Sequence, residues 1–127
     1  MRIYLFMLIF MLVLQGCEEK DFYSSKANDE QELYSKKREI EKMAESVSCE
    51  NSTGWKFTVM GVKSCGGAAG YIAYSNQLDE VLFLKKVALY NQKQNAFLVK
   101  WGMMSDCSIA LEPKSVTCVD GKPKFVY

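Results

Sequence analysis

Four cysteines beyond residue 48 constrain this 127-residue chain more than any other feature. Cys49, Cys65, Cys107 and Cys118 are spaced by 16, 42 and 11 positions, and the chain contains no histidine. A four-thiolate zinc site is built from close pairs, with two to four residues between ligands. No such pair exists here, so no metal is expected. An even set of cysteines in a small exported domain reads instead as a disulfide framework, here of two bonds. Three pairings are open, and chain entropy does not choose among them. Closing Cys65 to Cys107 is worth about 4 kcal/mol, and closing Cys49 to Cys65 about 3 kcal/mol.

That reading requires export, and the N-terminus supplies a signal for it. Residues Ile3 to Leu14 carry no charge and no glycine, behind the single positive charge of Arg2. A basic start followed by a short apolar run reads as a secretion signal. The run is shorter than the roughly 20 residues a helix needs to cross a bilayer. It ends in "LVLQGCEEKD", where apolar sequence gives way at one cysteine to acidic residues. Leu14-Gln15-Gly16-Cys17 resembles the lipobox of bacterial lipoproteins. The resemblance implies that residues 1–16 are removed, that the Cys17 thiol is diacylated with palmitate-type chains, and that its new amino group is acylated too. One acyl chain gives marginal membrane binding, and two or more give stable anchoring at about 0.8 kcal/mol per buried methylene. The expected partner is therefore membrane lipid, held through acylated Cys17. The expected location is the cell envelope, on the outer membrane in preference to the inner one.

Loss of residues 1–16 removes Arg2 and leaves 15 basic against 15 acidic side chains. Nucleic-acid binding draws on a clustered basic face. The one basic run, Lys36 to Arg38, sits among glutamates and reads as a solvated helix face, so no nucleic acid is expected.

Residues 18–31 are polar and poor in aliphatics, which suits a flexible tether running from Cys17. From about residue 28 to 47 the pattern turns helical, with Leu33, Ile40, Met43, Ala44 and Val47 on one stripe. "SVSCENSTG" ends that helix. Trp55, Phe57 and Val59 alternate with Lys56, Thr58 and Met60 as a half-buried strand. "CGGAAG", Cys65 to Gly70, predicts a tight bend, and a second strand follows over Tyr71 to Ser75. A phosphate-cradling loop would need a Lys-Ser/Thr ending that is missing.

A longer helix is predicted over Leu78 to Trp101. Phe83, Val87, Tyr90, Phe97 and Trp101 form its seam, and Gly102 supplies the stop. The polar middle, "NQKQN", offers a break into two helices. Strands are predicted at 108–111, 115–119 and 124–127, with Asp120-Gly121 as a hairpin turn. Pro113 and Pro123 suit edges and turns. The whole reads as an α+β domain over 32–127, a small antiparallel sheet packed against one long helix plus an N-terminal helix. In that layout Cys65–Cys107 fastens both ends of the long helix to the sheet, and Cys49–Cys118 joins the first helix to the last hairpin.

"SCGGAAGYIAYS", the aromatic-rich helix with "YN", then "WG", "SDC" and a closing cysteine before "DGKPKFVY" resemble a group of small bacterial lipoproteins of Bacteroidota-type organisms. The resemblance spans residues 49–127 and implies a shared cysteine-framed fold rather than an activity. Glu18, Glu19 and Asp21 are similar to surface-export signals of the same organisms.

Without histidine, Ser–His–Asp and Cys–His catalysis are excluded. Paired carboxylates of glycosidase type would have to come from Asp79, Glu80, Asp106 or Glu112. Asp79 and Glu80 fall in a helix's first turn, where they oppose the dipole, and Asp106 falls in a turn. No catalytic residue, no enzymatic activity and no cofactor are therefore expected, and a carboxylate-dependent hydrolase is the weakest reading. A non-catalytic binding module for a secreted or envelope protein is favoured, with Tyr71, Tyr74, Phe125 and Tyr127 as surface anchors. The alternative is an assembly accessory of a larger envelope complex.

Overall fold

The computed structural model describes residues 25–127. The expected lipidation site Cys17, the expected signal segment 1–16 and residues 17–24 of the expected tether lie outside the described residues. Six elements follow in order: α1 (Lys26–Glu45), β1 (Trp55–Val59), β2 (Tyr71–Ser75), α2 (Glu80–Lys100), β3 (Ser115–Val119) and β4 (Lys122–Val126). The fold is α+β.

Helix α1 begins where Ser25 Oγ accepts the Asn28 amide at 3.2 Å, so residues 26–31 are its first turns rather than tether. A serine at this position satisfies one of the orphan donors of a helix start. The predicted stripe is the packed face: Ile40 and Ala44 are buried, and Leu33 and Met43 close over them. Helix α2 is capped likewise by Asp79, whose carboxylate accepts the Leu82 amide at 2.9 Å. It runs unbroken through Asn91–Asn95 and buries Phe83, Val87 and Tyr90. Gly102, with φ of 57°, ends it: the Met103 amide reaches Leu98 O at 2.9 Å and the Gly102 amide reaches Val99 O at 3.3 Å. Those two bonds make the paired closure of a helix C-terminus.

The polar middle of α2 has a structural task. The Gly61 amide donates to Asn91 Oδ1 at 2.7 Å, Asn91 Nδ2 donates to Val59 O at 3.1 Å, and the Val62 amide donates to Gln94 Oε1 at 2.8 Å. Side-chain amides here take the place of a neighbouring strand along the end of β1. The N-terminus of α1 is tied to the far end of α2 through Asp29, which accepts from Trp101 Nε1 at 2.9 Å and from Lys100 Nζ at 2.8 Å.

One core joins these elements. Ile40 and Ala44 from α1, Tyr74 from β2, and Phe83, Val87 and Tyr90 from α2 form it, with Met60, Ile72 and Leu78 at its margin. The Tyr74 and Phe83 rings pack 4.9 Å apart. Truncating a buried phenylalanine such as Phe83 to alanine removes about 3–5 kcal/mol.

Strands β1 and β2 pair antiparallel from Trp55↔Ser75 to Val59↔Tyr71, and β3 and β4 pair from Ser115↔Val126 to Val119↔Lys122. The second hairpin closes through Asp120 and Gly121 with φ of 51° and 73°, the left-handed pair that a two-residue hairpin turn requires. Pro123 sits opposite Cys118 in β4, a strand with a single hydrogen-bonded neighbour, where its missing N–H is tolerated.

Two expectations are corrected, and the two-disulfide framework is met by one closed bond and one neighbouring pair. The strands form two two-stranded sheets rather than one. β1 lies against β3 and β2 against β4, and the Phe57 ring of β1 also meets the Phe125 ring of β4, with centroids 6.3 Å apart. Residues 108–111 are not a strand. Lys63 Nζ donates to Ser108 O at 2.6 Å instead, and among the described residues no ladder partner lies along this segment. Only one disulfide is closed among the described residues, Cys49–Cys118, with Cα atoms 5.3 Å apart. Cys65 and Cys107 stand together as two exposed thiols.

Candidate functional site

Hydrogen-bond alternation fixes which side of β2 is left open. In an antiparallel pair every second residue exchanges both bonds with its partner and the residues between point theirs outward. The Met60 amide donates to Gly70 O at 2.9 Å and the Asn76 amide to Gly54 O at 2.8 Å, at either end of the ladder. With the register Thr58↔Ile72 and Lys56↔Tyr74, Ile72 and Tyr74 then face β1. Tyr71, Ala73 and Ser75 direct their N–H and C=O away from it. Among the described residues nothing hydrogen-bonds the outward groups of Tyr71 and Ala73.

That open edge lines a cleft of about 600 Å³ between α1, β2 and β4. Ala73 and Tyr90 lie in it as buried residues, and the Tyr71 and Phe125 rings stand on its β side. Gly61, Ala69 and Gly70 close the end formed by the glycine-rich loop. The Gly66 and Gly67 residues of that loop both have φ of 87°, so the tight bend read from "CGGAAG" is present and needs residues without a Cβ.

Charge along the α1 rim is balanced. Lys37 and Arg38 stand beside Glu41 and Glu45. Glu41 takes Arg38 in a hydrogen-bonded ion pair and Lys37 at 3.8 Å. The Glu41 carboxylate holds the Arg38 guanidinium firmly charged. Burial, with the same carboxylate nearby, raises the Tyr90 phenol above its ordinary pKa, so Tyr90 enters the cleft as a neutral hydroxyl.

The four aromatic anchors divide. Tyr71 and Phe125 reach the cleft. Phe57 stands between them, 6.0 Å from Tyr71 and 6.3 Å from Phe125, edge to face in both cases, and Tyr127 extends the row 6.4 Å beyond Phe125. Tyr127 is 60% exposed. Tyr74 is a correction: it is 4% exposed and belongs to the core, with its hydroxyl donating to Glu80 Oε1 at 3.0 Å. A tyrosine in a core strand can bury its ring when its O–H finds a partner. Phe57, which sequence periodicity marked only as a buried strand position, is the ring that makes the row continuous.

The candidate carboxylates are spread over separate networks. Asp79 caps α2. Glu80 binds Lys56 Nζ at 2.8 Å and Tyr74, and those two partners hold its pKa below the carboxylate range. Asp106 binds Lys63 Nζ at 2.9 Å and Ser108, with the same direction of shift. Glu112 is exposed. Among the described residues no group of three or more Cys, Asp or Glu is placed to hold a metal ion, and no helix is long and apolar enough to cross a membrane. Set against protein-family models, curated proteins and solved structures, the chain matches none.

Proposed function

We propose that this protein is a lipid-anchored, non-catalytic binding module of the cell envelope, held to its membrane through acylated Cys17. In this reading its cleft takes an extended segment of a secreted or envelope protein. The observation that carries it is the bare outer edge of β2 inside the cleft. Tyr71 and Ala73 offer N–H and C=O two residues apart, the repeat at which an added strand pairs. The Tyr71 and Phe125 rings flank that edge and would receive alternate apolar side chains of the guest. A rim of mixed charge suits a polypeptide better than a strongly anionic ligand.

The test selects peptides from a random library on the purified protein and maps hydrogen exchange with and without them. Slowed exchange at the Tyr71 and Ala73 amides, lost with Tyr71→Ala and Phe125→Ala, is the expected result. Selected peptides that protect another surface, or a library that yields none, would overturn the cleft assignment. For the anchor, Cys17→Ala should abolish acyl mass and membrane fractionation; a variant that still fractionates with membranes contradicts it.

A further inference from the structure

Two segments far apart in sequence are clasped beside the glycine-rich loop. The Ser64 amide donates to Ser105 Oγ at 2.8 Å and the Ser105 amide donates to Ser64 Oγ at 2.8 Å. One residue earlier, Lys63 Nζ, largely withdrawn from solvent, reaches Asp106 Oδ1 at 2.9 Å and Ser108 O at 2.6 Å. Within that clasp the Cys65 thiol points at Asp106 O, 3.8 Å away. The Cys107 thiol points at Ser105 O, 4.0 Å away, and the neighbouring Cys65 thiol leads the causes that raise its pKa. The two sulphurs are thus brought together by bonds that do not involve them.

The two cysteine pairs differ in access. Cys49 is 1% exposed, whereas Cys65 and Cys107 are both exposed. Thiol–disulfide exchange needs a thiolate to reach a sulphur in line, so accessible pairs exchange and buried ones resist. We propose that Cys65 and Cys107 form a reversible dithiol–disulfide couple that exchanges with low-molecular-weight disulfides while Cys49–Cys118 stays closed. Closure balances as follows. One protein thiol, as thiolate, attacks glutathione disulfide, forming a mixed disulfide and releasing one glutathione thiolate. The second protein thiol then attacks the protein sulphur of the mixed disulfide, forming Cys65–Cys107 and releasing the second glutathione. Two protein thiols are oxidised, one glutathione disulfide is reduced to two glutathiones, and the two thiol protons pass to the departing thiolates. This couple stands whether or not the cleft takes a peptide.

The test equilibrates the intact purified protein in glutathione buffers of stepped reduced-to-oxidised ratio, quenches in acid, alkylates, and maps peptides by mass. Cys65 and Cys107 should gain and lose label together, over a range in which Cys49 and Cys118 stay unlabelled and circular dichroism is unchanged. Cys65→Ser and Cys107→Ser should each trap one glutathione on the remaining cysteine, which the unaltered protein does not retain. Independent labelling of the two thiols, stable glutathione adducts on the unaltered protein, or loss of Cys65–Cys107 only together with Cys49–Cys118 would each overturn the proposal. If a serine variant misfolds, the titration of the unaltered protein decides alone.

Discussion

The Gly61 amide meets Asn91 Oδ1 at 2.7 Å across 30 positions of sequence, and the same side chain returns a bond to Val59 O. Asn91 therefore replaces a strand neighbour at the end of β1 from the middle of a helix. Removing it strands two part-buried backbone groups, and a lost hydrogen bond with an unsatisfied partner costs about 1–3 kcal/mol. Asn91→Ala should lower stability by about 2 kcal/mol in urea denaturation, while Gln92→Ala on the exposed side should stay within about 0.5 kcal/mol. Equal effects at the two positions would remove the clamp.

The Tyr74 hydroxyl gives a pH-dependent prediction. Burial first, then its bond to Glu80, pushes its pKa up to about 12 from the ordinary 10. The folded state holds this proton more tightly than the unfolded state, so the contribution is intact below pH 10 and is lost as pH rises through 12. Two pKa units correspond to about 2–3 kcal/mol. Tyr74→Phe should start from lower stability and show a flatter alkaline limb. Parallel limbs in denaturant titrations at pH 9 and above would contradict the assignment. Glu80 runs the other way: its lowered pKa stabilises above the carboxylate range and that support fades on acidification.

Cys49 and Cys118 are 69 residues apart, and closing a loop of that length is worth about 4 kcal/mol in the chain-entropy account. Cys49→Ser with Cys118→Ser should lower stability by that order, read from the denaturation midpoint. A change under about 1 kcal/mol would mean that the unfolded chain is already compact there.

Asp29 accepts from Trp101 Nε1 and Lys100 Nζ and so joins the first turn of α1 to the last turn of α2. Hydrogen bonds to a charged group contribute about 1.5–3 kcal/mol, and partial exposure of Lys100 places this one at the low end. Asp29→Ala should cost about 1–2 kcal/mol and shift Trp101 emission to the red. An unchanged spectrum would contradict the contact.

Periodic and local signals carried the fold. The stripe Leu33–Ile40–Met43–Ala44 and the seam Phe83–Val87–Tyr90 were legible because a helix repeats its buried face every three or four residues. Asp120-Gly121 and Gly102 were legible because their backbone needs left-handed conformations that few residues adopt. What stayed hidden depended on partners distant in sequence. "NQKQN" reads as a break until Gly61 and Val62 are placed beside it. Ser108 to Leu111 has strand composition but, among the described residues, no strand to pair with, and Tyr74 reads as a surface ring until Glu80 receives its hydroxyl. Of the candidate site, Tyr71 and Phe125 were readable as aromatics near turns. The open edge of β2 was not, because it follows from register.

The Cys49–Cys118 bond also settles how the domain bears load. Tension applied between Ser25 and Tyr127 passes along α1, crosses one sulphur–sulphur link and leaves through the terminal hairpin. Everything from β1 to α2 sits in a covalent ring off that line of force. Stretching can peel α1 from its neighbours, but it cannot lengthen the ring, so the extension on unfolding should fall short of the full contour by the stretch between Cys49 and Cys118, a sequence separation of 69.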